Sequence, residues 1–314
     1  LMATNIASIN PLLRPNDKGP AIDLQFRDTD FLRWLIANGL VVDNAGGAPH
    51  TWNLETSDGV TAESFVEGQA LGVAGTPVYK QASLGVRMER AWQKVTGHVR
   101  DQIARGGTYE DVRARAIEAA TMKLMSTSEA SLLGSTASVG IASIIDAVDV
   151  YAGLDPATTT EWASLETAVG GAQTAGVLDT MYRTLTDSPR GASPEVIMSG
   201  LRQREIYSRI VGAVAGNGFQ QNPRSELGLR YDLGIVGTAP VSFNGLPWVP
   251  IRLMTASELY MLDVSSGIEL RMQRALEVET LAKTDDDERI MVSHGWMLKV
   301  ANRRKQGKLT GLST

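Results

Sequence analysis

The sequence contains no cysteine and only three histidines among its 314 residues. The absence of cysteine excludes disulfides, thiolate metal sites, iron–sulfur clusters bound by cysteine, and thiol nucleophiles. His50, His98 and His294 are too far apart in sequence to show a ligand spacing such as His-x-x-x-His, which argues against a zinc enzyme. Each histidine is interpreted as a structural residue rather than a general base. No metal and no cofactor are therefore expected.

Long hydrophobic runs and an excess of basic charge are also missing. The longest apolar stretches, such as Val139–Ile145, fall far short of the roughly 18 residues that a bilayer-spanning helix needs. The N-terminus lacks the charged-then-apolar pattern of a signal peptide, so we expect a soluble protein made in the cytoplasm, with no membrane partner. With 30 Lys and Arg against 35 Asp and Glu, the chain has a net charge of −5, which argues against an extended basic surface and so against direct, tight binding of nucleic acid.

The composition is that of a globular protein, with 43% hydrophobic and 21% charged residues. The length predicts two compact bodies, or one large body with a satellite. Residues 1–20 read as an extended arm, and Asp30–Leu40 as a short helical or buried segment. A capping pattern at Thr108–Asp111 opens the longest helical pattern of the chain, which runs to Leu133 and is ended by Gly134.

A hairpin is predicted between Asp30–Leu40 and the long helix. Glycines punctuate short β-like pieces from residue 43 onwards, and Val78–Met88 alternates between apolar and polar side chains. Trp52, Phe65 and Tyr79 on this hairpin need a partner, because a projecting hairpin would leave them in water. The alternative is an ordinary aromatic cluster inside the base of the hairpin.

The second half of the chain mixes helices and strands, so the fold class is α+β. Residues 135–160 are read as a segment that crosses from the first compact body into a second one, and we call them the crossing segment. Glu161–Leu185 are read as two shorter helices or one helix kinked at Gly170-Gly171. Further elements are predicted in order: strand Pro194–Ser199, helix Leu201–Val214, strand Val241–Phe243, turn Asn244-Gly245, strand Leu246–Ile251, strand Leu259–Val264, and a closing pair Ile268–Leu281 and Glu288–Val300.

No motif predicts catalysis, so we expect no catalytic residue and no enzyme. The glycine cluster at 212–218 follows a helix and lacks the ending of a phosphate loop, which favours a helix exit. Asp285–Asp287 lacks the spacing of a calcium loop and is interpreted as a solvated turn. Arg303, Arg304 and Lys305 with Lys308 are interpreted as a solvated chain end, with binding of phosphate or an acidic partner as the alternative.

In this order the elements resemble the major capsid proteins of tailed bacteriophages (Caudoviricetes), which have the Hong Kong 97 type fold. The resemblance covers most of the chain. It depends on the order of several short motifs: Ala62–Gln69 (AESFVEGQ), Thr76-Pro77, Val95–Val99 (VTGHV), Glu129–Gly134 (EASLLG), Ser193–Ser199 (SPEVIMS), Asn244–Pro250 (NGLPWVP) and Leu262-Asp263.

The resemblance implies a division of the chain and a set of subunit contacts. The N-terminal arm would be residues 1–29, and the first part of the P domain 30–139, including the E-loop at 48–88 and the spine helix at 108–133. The A domain would be 140–262 and the second part of the P domain 263–314. Contacts with other subunits would be made by the E-loop residues Trp52, Phe65, Glu67, Tyr79 and Lys80 and the P-domain residues Arg303 and Arg304.

The function implied is that of a major capsid protein. Such a subunit self-assembles through hexamers and pentamers into an icosahedral shell, which encloses phage double-stranded DNA without sequence-specific binding. The virion capsid would be its location, after assembly in the host cytoplasm, and scaffold, portal and cement or decoration proteins would be its partners. Three alternatives stay open: an encapsulin-like shell that packages protein, a cytoplasmic α/β enzyme using residues 161–214, and a tail or decoration protein.

Overall fold

The computed structural model of the chain combines five α-helices and twelve strands in the residues that it describes. Those residues are 29–43, 47, 49–60, 64, 73, 75–96, 112–134, 139–214, 242–281 and 287–313. The helices are α1 (Asp30–Ala37), α2 (Val112–Leu133), α3 (Ile141–Ile144), α4 (Ala175–Thr186) and α5 (Leu201–Val214), with 3₁₀ helices at Thr160–Trp162 and Arg303–Lys305. None of these helices is both long and apolar enough to cross a membrane.

The strands form two sheets and one separate hairpin. In chain order they are β1 (Val41–Asp43), β2 (His50–Ser57), β3 (Val78–Leu84), β4 (Arg87–Thr96), β5 (Leu165–Gly171), β6 (Val196–Ser199), β7 (Ser242–Phe243), β8 (Leu246–Pro250), β9 (Leu259–Leu262), β10 (Ile268–Leu281), β11 (Asp287–Val300) and β12 (Gly307–Leu312). The four-stranded sheet has the order β1-β10-β11-β4, and the six-stranded sheet the order β5-β12-β9-β6-β8-β7.

The long helix α2 packs on the four-stranded sheet. Ala116, Ala120 and Leu124 are buried at steps of four residues, so they lie on one face of the helix. Ala120 and Leu124 contact Val292 of β11, and the small alanines let the helix approach the sheet closely. The predicted end at Leu133 is confirmed, whereas residues 108–111 of the predicted helix lie outside the described residues.

Strands β10 and β11 form a long antiparallel pair, which confirms the predicted closing pair of strands. Their register joins Ile268 to Val300 at one end and Leu281 to Arg289 at the other. The turn between β7 and β8 is also as predicted, because Asn244 and Gly245 both have positive φ, at 49° and 81°. Positive φ at both central residues is the backbone of a two-residue hairpin turn, which Asn-Gly favours.

The apolar residues form two main cores. One lies between α1, the four-stranded sheet and residues 139–155, and includes Phe31, Leu132 and Trp296. The other is in the six-stranded sheet and the helices on it, and includes Leu178 of α4 and Trp248 of β8. The six-stranded sheet is buried on both faces, because its residues Val196, Met198, Tyr260 and Leu262 belong to the first core and its residues Ile197, Leu259 and Met261 belong to the second. The two sheets therefore share the first core.

The helical interpretation of Glu161–Leu185 is wrong in its first half. Residues 165–171 form strand β5, which pairs in parallel with β12, and only Ala175–Thr186 is helical. The helix begins after Gly171 because the side chain of Thr174 accepts a hydrogen bond from the backbone amide of Val177, at 3.2 Å. The spacing of apolar residues did not distinguish a strand whose partner lies about 140 residues further along the chain.

Several predictions fall on residues that the structure does not describe. They concern the arm at residues 1–28, Phe65, Glu67, His98, the glycines at 216 and 218, and the acidic turn at 285–286.

Candidate subunit-contact surface

The hairpin β2–β3 is anchored at its base to its own chain. Its two strands are antiparallel, and His50 lies opposite Leu84. The side chains of Ala82 and Leu84 are buried in the first core, as the predicted alternation requires. The predicted strand Val78–Met88 is wrong in its extent, because Val78 and Met88 are exposed, β3 ends at Leu84 and Arg87 begins strand β4 of the four-stranded sheet. Between Ala82 and Leu84, the Ser83 amide donates a hydrogen bond to the Ala152 carbonyl, at 2.9 Å. The crossing segment around residue 152 therefore holds the end of β3.

An aromatic cluster strengthens this anchor. The Trp52 ring lies between His50 and Tyr151, with centroid distances of 5.9 and 6.3 Å. The ammonium of Lys299 lies 5.7 Å from the centre of the same ring, which adds a cation–π contact. Trp52 thus belongs to an aromatic cluster at the base of the hairpin, which is the alternative that the sequence left open.

The charge of His50 is set by its surroundings. Burial lowers the pKa of His50, and the positive charges of Arg271 and Lys299 lower it further. The imidazole is therefore neutral at neutral pH, which suits its place against an indole ring and two cationic side chains.

Lys80 is also held within its own chain. Its ammonium donates a hydrogen bond to the hydroxyl of Thr159, at 2.5 Å, and Thr159 is itself buried. The sequence carried no signal for this partner, which lies 79 residues away and in a turn.

The distal half of the hairpin is different, because it exposes large side chains. Tyr79 is 64% exposed and Val78 45%, and Val60 and Val73, beyond the last strand residues, are 74% and 94% exposed. Exposed apolar side chains that follow one another along a projecting element are typical of an interaction surface. We call Val60, Val73, Val78 and Tyr79 the distal patch. It contains Tyr79 of the predicted contact residues, whereas Phe65 and Glu67 lie outside the described residues.

A buried polar network joins helix α2 to the four-stranded sheet. The carboxylate of Glu89 accepts hydrogen bonds from Ser128 (2.6 Å), Trp296 (3.1 Å) and Arg87 (2.8 Å). His294 lies 2.8 Å from the Ser128 hydroxyl and 3.4 Å from Glu89, through the same Nε2 atom. A catalytic triad has the acid on the opposite nitrogen, Nδ1, so the geometry is that of a structural network. The interpretation of His294 as a structural histidine agrees with this arrangement.

The balance of forces on Glu89 keeps its carboxylate ionised. Burial alone would raise the pKa of Glu89, but the hydrogen bonds from His294, Ser128, Trp296 and Arg87 outweigh it and hold the pKa well below its ordinary value.

The interpretation of Arg303–Lys308 as a solvated chain end is wrong for two of its side chains. Arg303 is fully buried and donates hydrogen bonds to the carbonyls of Asp149 (2.6 Å) and Asp146. Lys308 is 5% exposed and forms ion pairs with Asp146 (3.3 Å) and Glu258 (3.7 Å). Buried cations need such partners, and the crossing segment supplies most of them. Arg303 thus has a role inside its own chain, whereas Arg304 is half-buried.

No group of three or more His, Cys, Asp or Glu within the described ranges is placed to hold a metal ion.

Comparison with known proteins gives one family and many related structures. A family model described as SU10 major capsid protein matches residues 29–313. The capsid asymmetric unit of cyanophage A-1(L) is similar at 16% identity and a TM-score of 0.72, covering 95% of this chain and 97% of that chain. The capsid of Myoviridae phage XM1 is similar at 12% identity and a TM-score of 0.60, covering 96% and 97%.

A protein shell of another kind is also similar. The holo-SrpI encapsulin complex of Synechococcus elongatus PCC 7942 gives 12% identity and a TM-score of 0.60, covering 100% of this chain and 97% of that chain. A search of the curated proteins finds no match. At these identities the structural likenesses establish the fold.

Proposed function

Because the chain belongs to the SU10 major capsid protein family and has the Hong Kong 97 type capsid fold, we propose that it self-assembles through hexamers and pentamers into an icosahedral shell around phage double-stranded DNA. The observation that carries the proposal is the division of the hairpin into an anchored base and an exposed distal patch. A protein that stays monomeric leaves such a patch exposed to water, whereas a shell subunit buries it against the next copy.

The residues proposed to make these contacts are the E-loop residues Trp52, Phe65, Glu67, Tyr79 and Lys80 and the P-domain residue Arg304. Tyr79 is the strongest of them, because it is exposed and aromatic side chains are enriched in interface cores. Trp52 and Lys80 contact their own chain, so they support the subunit contact by holding the base of the hairpin in place. Arg303 is withdrawn from the proposal because its guanidinium is buried within the subunit.

The rest of the proposal follows the division of the chain given by the resemblance. The arm would be 1–29, the P domain 30–139 and 263–314, and the A domain 140–262 would gather around the capsomer centre. The subunit would be a building unit without enzymatic activity, assembled in the host cytoplasm with scaffold, portal and cement or decoration proteins. The net charge of −5 suits a wall that encloses DNA without binding it tightly.

The experiment that tests the proposal removes the tip of the hairpin, including Val60 and Val73 of the distal patch. Deleting residues 55–75 shortens the hairpin but keeps Ala82 and Leu84, which anchor it in the core. We expect a folded subunit that fails to form closed shells in electron micrographs, while the unmodified chain forms them. Normal closed shells from the deletion variant would show that this loop does not make the contact.

An encapsulin-like shell is the second candidate, since the encapsulin of Synechococcus elongatus has the same TM-score as the phage XM1 capsid. The family match favours the phage capsid. The contents of particles purified from their natural source separate the two: double-stranded DNA supports the capsid, and a packaged protein supports the encapsulin-like shell.

A further inference from the structure

The base of the hairpin β2–β3 lies against a charged part of the four-stranded sheet. Glu269 of β10 is opposite Lys299 of β11, and Arg271 follows two residues after Glu269 on the same face. The carboxylate of Glu269 lies 2.8 Å from the guanidinium of Arg271 and 3.5 Å from the ammonium of Lys299. Two cations therefore share one carboxylate, so this cluster is positive before His50 is counted.

His50 lies beside this cluster, and histidine is the side chain that changes its charge near neutral pH. Its ring stacks on the indole of Trp52 at a centroid distance of 5.9 Å, and the ammonium of Lys299 approaches the same indole at 5.7 Å. Tyr151 contacts this indole as well, and burial raises the pKa of Tyr151, so its hydroxyl stays neutral. The Nε2 atom of His50 is buried and has no hydrogen-bond partner within the described part of the chain.

The neutral form of His50 fits the closed base of the hairpin. Among the described residues, three charged groups face it: Arg271 and Glu269 from β10, and Lys299 from β11. Across the hairpin it lies opposite Leu84, which carries no charge. Burial and the two cations lower the pKa of His50, while Glu269 acts in the opposite direction.

Protonation of His50 would conflict with these surroundings in two ways. It would place a further positive charge beside Arg271 and Lys299, which already share Glu269. Both ring nitrogens of an imidazolium are donors, so the Nε2–H group would be buried without an acceptor among the described residues. A buried charged donor without a partner costs free energy, and opening of the base removes that cost because the ring then reaches water.

The hairpin is held to the subunit next to this histidine. Trp52 packs on the first core, and the Ser83 amide, one residue before the partner of His50 in β3, donates a hydrogen bond to the Ala152 carbonyl at 2.9 Å. We propose that His50 is an acid-sensitive switch at the base of the hairpin, whose protonation releases β2 and the Trp52 ring from the four-stranded sheet. The inference concerns contacts inside one subunit, so it does not depend on the proposed shell.

Hydrogen–deuterium exchange of the full chain, measured by mass spectrometry from pH 5 to pH 8, tests the switch. Peptides that cover β2 and β3 report opening of the base, since the Ser83 amide is protected by its bond to Ala152. Chemical exchange itself depends on pH, so each rate is divided by the rate of His50→Gln at the same pH, whose side chain stays uncharged. Light scattering confirms that all samples are in the same assembly state.

The sign of the expected effect follows from the two states of the base. The closed base holds the neutral imidazole, whereas in the open state the ring is in water with its ordinary pKa of about 6.5. The stabilisation of the closed base is therefore present above about pH 6.5 and is lost as the pH falls below it. We expect the ratio to rise by about threefold or more between pH 7.5 and pH 5, and by no more than about tenfold per pH unit, because one proton is bound.

His98→Gln is the matched control, since it replaces another histidine of the chain and should leave this rise unchanged. A ratio that is constant from pH 5 to pH 8 would overturn the proposal, and so would a rise that disappears in His98→Gln.

Two further variants keep His50 and so test the switch even if His50→Gln fails to fold. Relative to the unmodified chain, the exchange rate of Lys299→Met should fall as the pH falls, because a cation that repels the imidazolium is gone. The relative rate of Glu269→Gln should rise, because a carboxylate that attracts the imidazolium is gone. The same pH dependence in both variants would contradict a switch at His50.

Discussion

Glu89 is a carboxylate that the fold holds ionised in its interior. Its partners come from three elements, because Arg87 is on the same strand, Ser128 on the spine helix, and His294 and Trp296 on β11. The folded state lowers the pKa of Glu89 below that of the unfolded chain. The stability that this adds is therefore present above the unfolded pKa of about 4.3 and is lost as the pH falls towards the folded pKa.

Replacing this carboxylate by an amide gives a prediction with a pH signature. Glu89→Gln should lower the free energy of unfolding by about 1–3 kcal/mol at pH 7, because charge-assisted hydrogen bonds are lost. The difference from the unmodified chain should shrink as the pH falls below about 4, where the unfolded carboxylate is protonated in any case. Urea denaturation of the unassembled subunit from pH 3 to 7 measures this.

Glu118→Gln is the matched control for that series, since the Glu118 side chain is 58% exposed in its ion pair with Arg115. Surface ion pairs contribute little, so its effect should stay within about 0.5 kcal/mol at every pH. A loss from Glu89→Gln that is independent of pH would contradict the assigned ionisation of Glu89.

Arg303 and Arg304 are adjacent in sequence but have different surroundings. Burial lowers the pKa of Arg303 to about 10, against the opposing effect of Asp146 and Asp149, so the guanidinium stays charged at pH 7. Arg303→Ala removes the donor of two hydrogen bonds to carbonyls and should destabilise the unassembled subunit by about 2–4 kcal/mol. Arg304→Ala should leave subunit stability within about 0.5 kcal/mol and weaken assembly.

Thermal unfolding of the subunit and light scattering of assembly separate these two effects. A result in which Arg303→Ala leaves the unfolding temperature unchanged would show that the buried hydrogen bonds of this side chain are not needed. No local pattern predicts its burial, since its acceptors at Asp146 and Asp149 lie more than 150 residues earlier in the chain.

At the scale of elements, α1 depends on a partner from another element. The helix has eight residues, too few to be stable alone, and Thr29 at its N-cap makes no side-chain hydrogen bond to it. Glu129 supplies the missing acceptor from the spine helix, 98 residues away. A carboxylate near the N-terminus of a helix also interacts favourably with the helix dipole.

Glu129→Ala should therefore release α1 from the spine helix. We expect a loss of about 1–2 kcal/mol, as for the removal of a helix cap, and faster proteolysis within residues 30–40. Glu129→Gln keeps one acceptor oxygen and should be affected less. Mass spectrometry of limited digests identifies the cleavage sites, and unchanged protection of α1 in Glu129→Ala would refute this role.

The elements that sequence predicted well have a strong local pattern. Helix α2 shows apolar residues at helical spacing up to Leu133, and β11 carries Ile290, Val292, Trp296, Leu298 and Val300 at alternate positions. The predicted helix at residues 165–171 failed because Leu165 and Val169 are four residues apart, a spacing that a helix and a short strand share. The deciding fact was the pairing with β12, which is non-local.

For the candidate site, sequence identified the hairpin but not what holds its base. The alternation predicted over Val78–Met88 placed Ala82 and Leu84 on the inner face, and the structure confirms this for these two residues. The contacts of Trp52 with Tyr151 and of Lys80 with Thr159 depend on the path of the crossing segment. A path of that kind is set by tertiary packing and leaves no periodic signal in the residues concerned.

At the scale of the whole molecule, the family match over residues 29–313 confirms the resemblance to tailed-phage major capsid proteins. The structural matches confirm the Hong Kong 97 type fold. The molecule combines two sheets that share one core and a hairpin whose distal patch is exposed. An exposed patch on a hairpin that is anchored in the core suits assembly from many equal copies.

Cryo-electron microscopy of the purified full chain tests the central claim most directly. Our account predicts closed icosahedral shells in which Tyr79 and the rest of the distal patch of each subunit are buried against an adjacent copy. A population of lone monomers under assembly conditions, with the hairpin tip packed on its own subunit and a small molecule bound within residues 140–262, would contradict it.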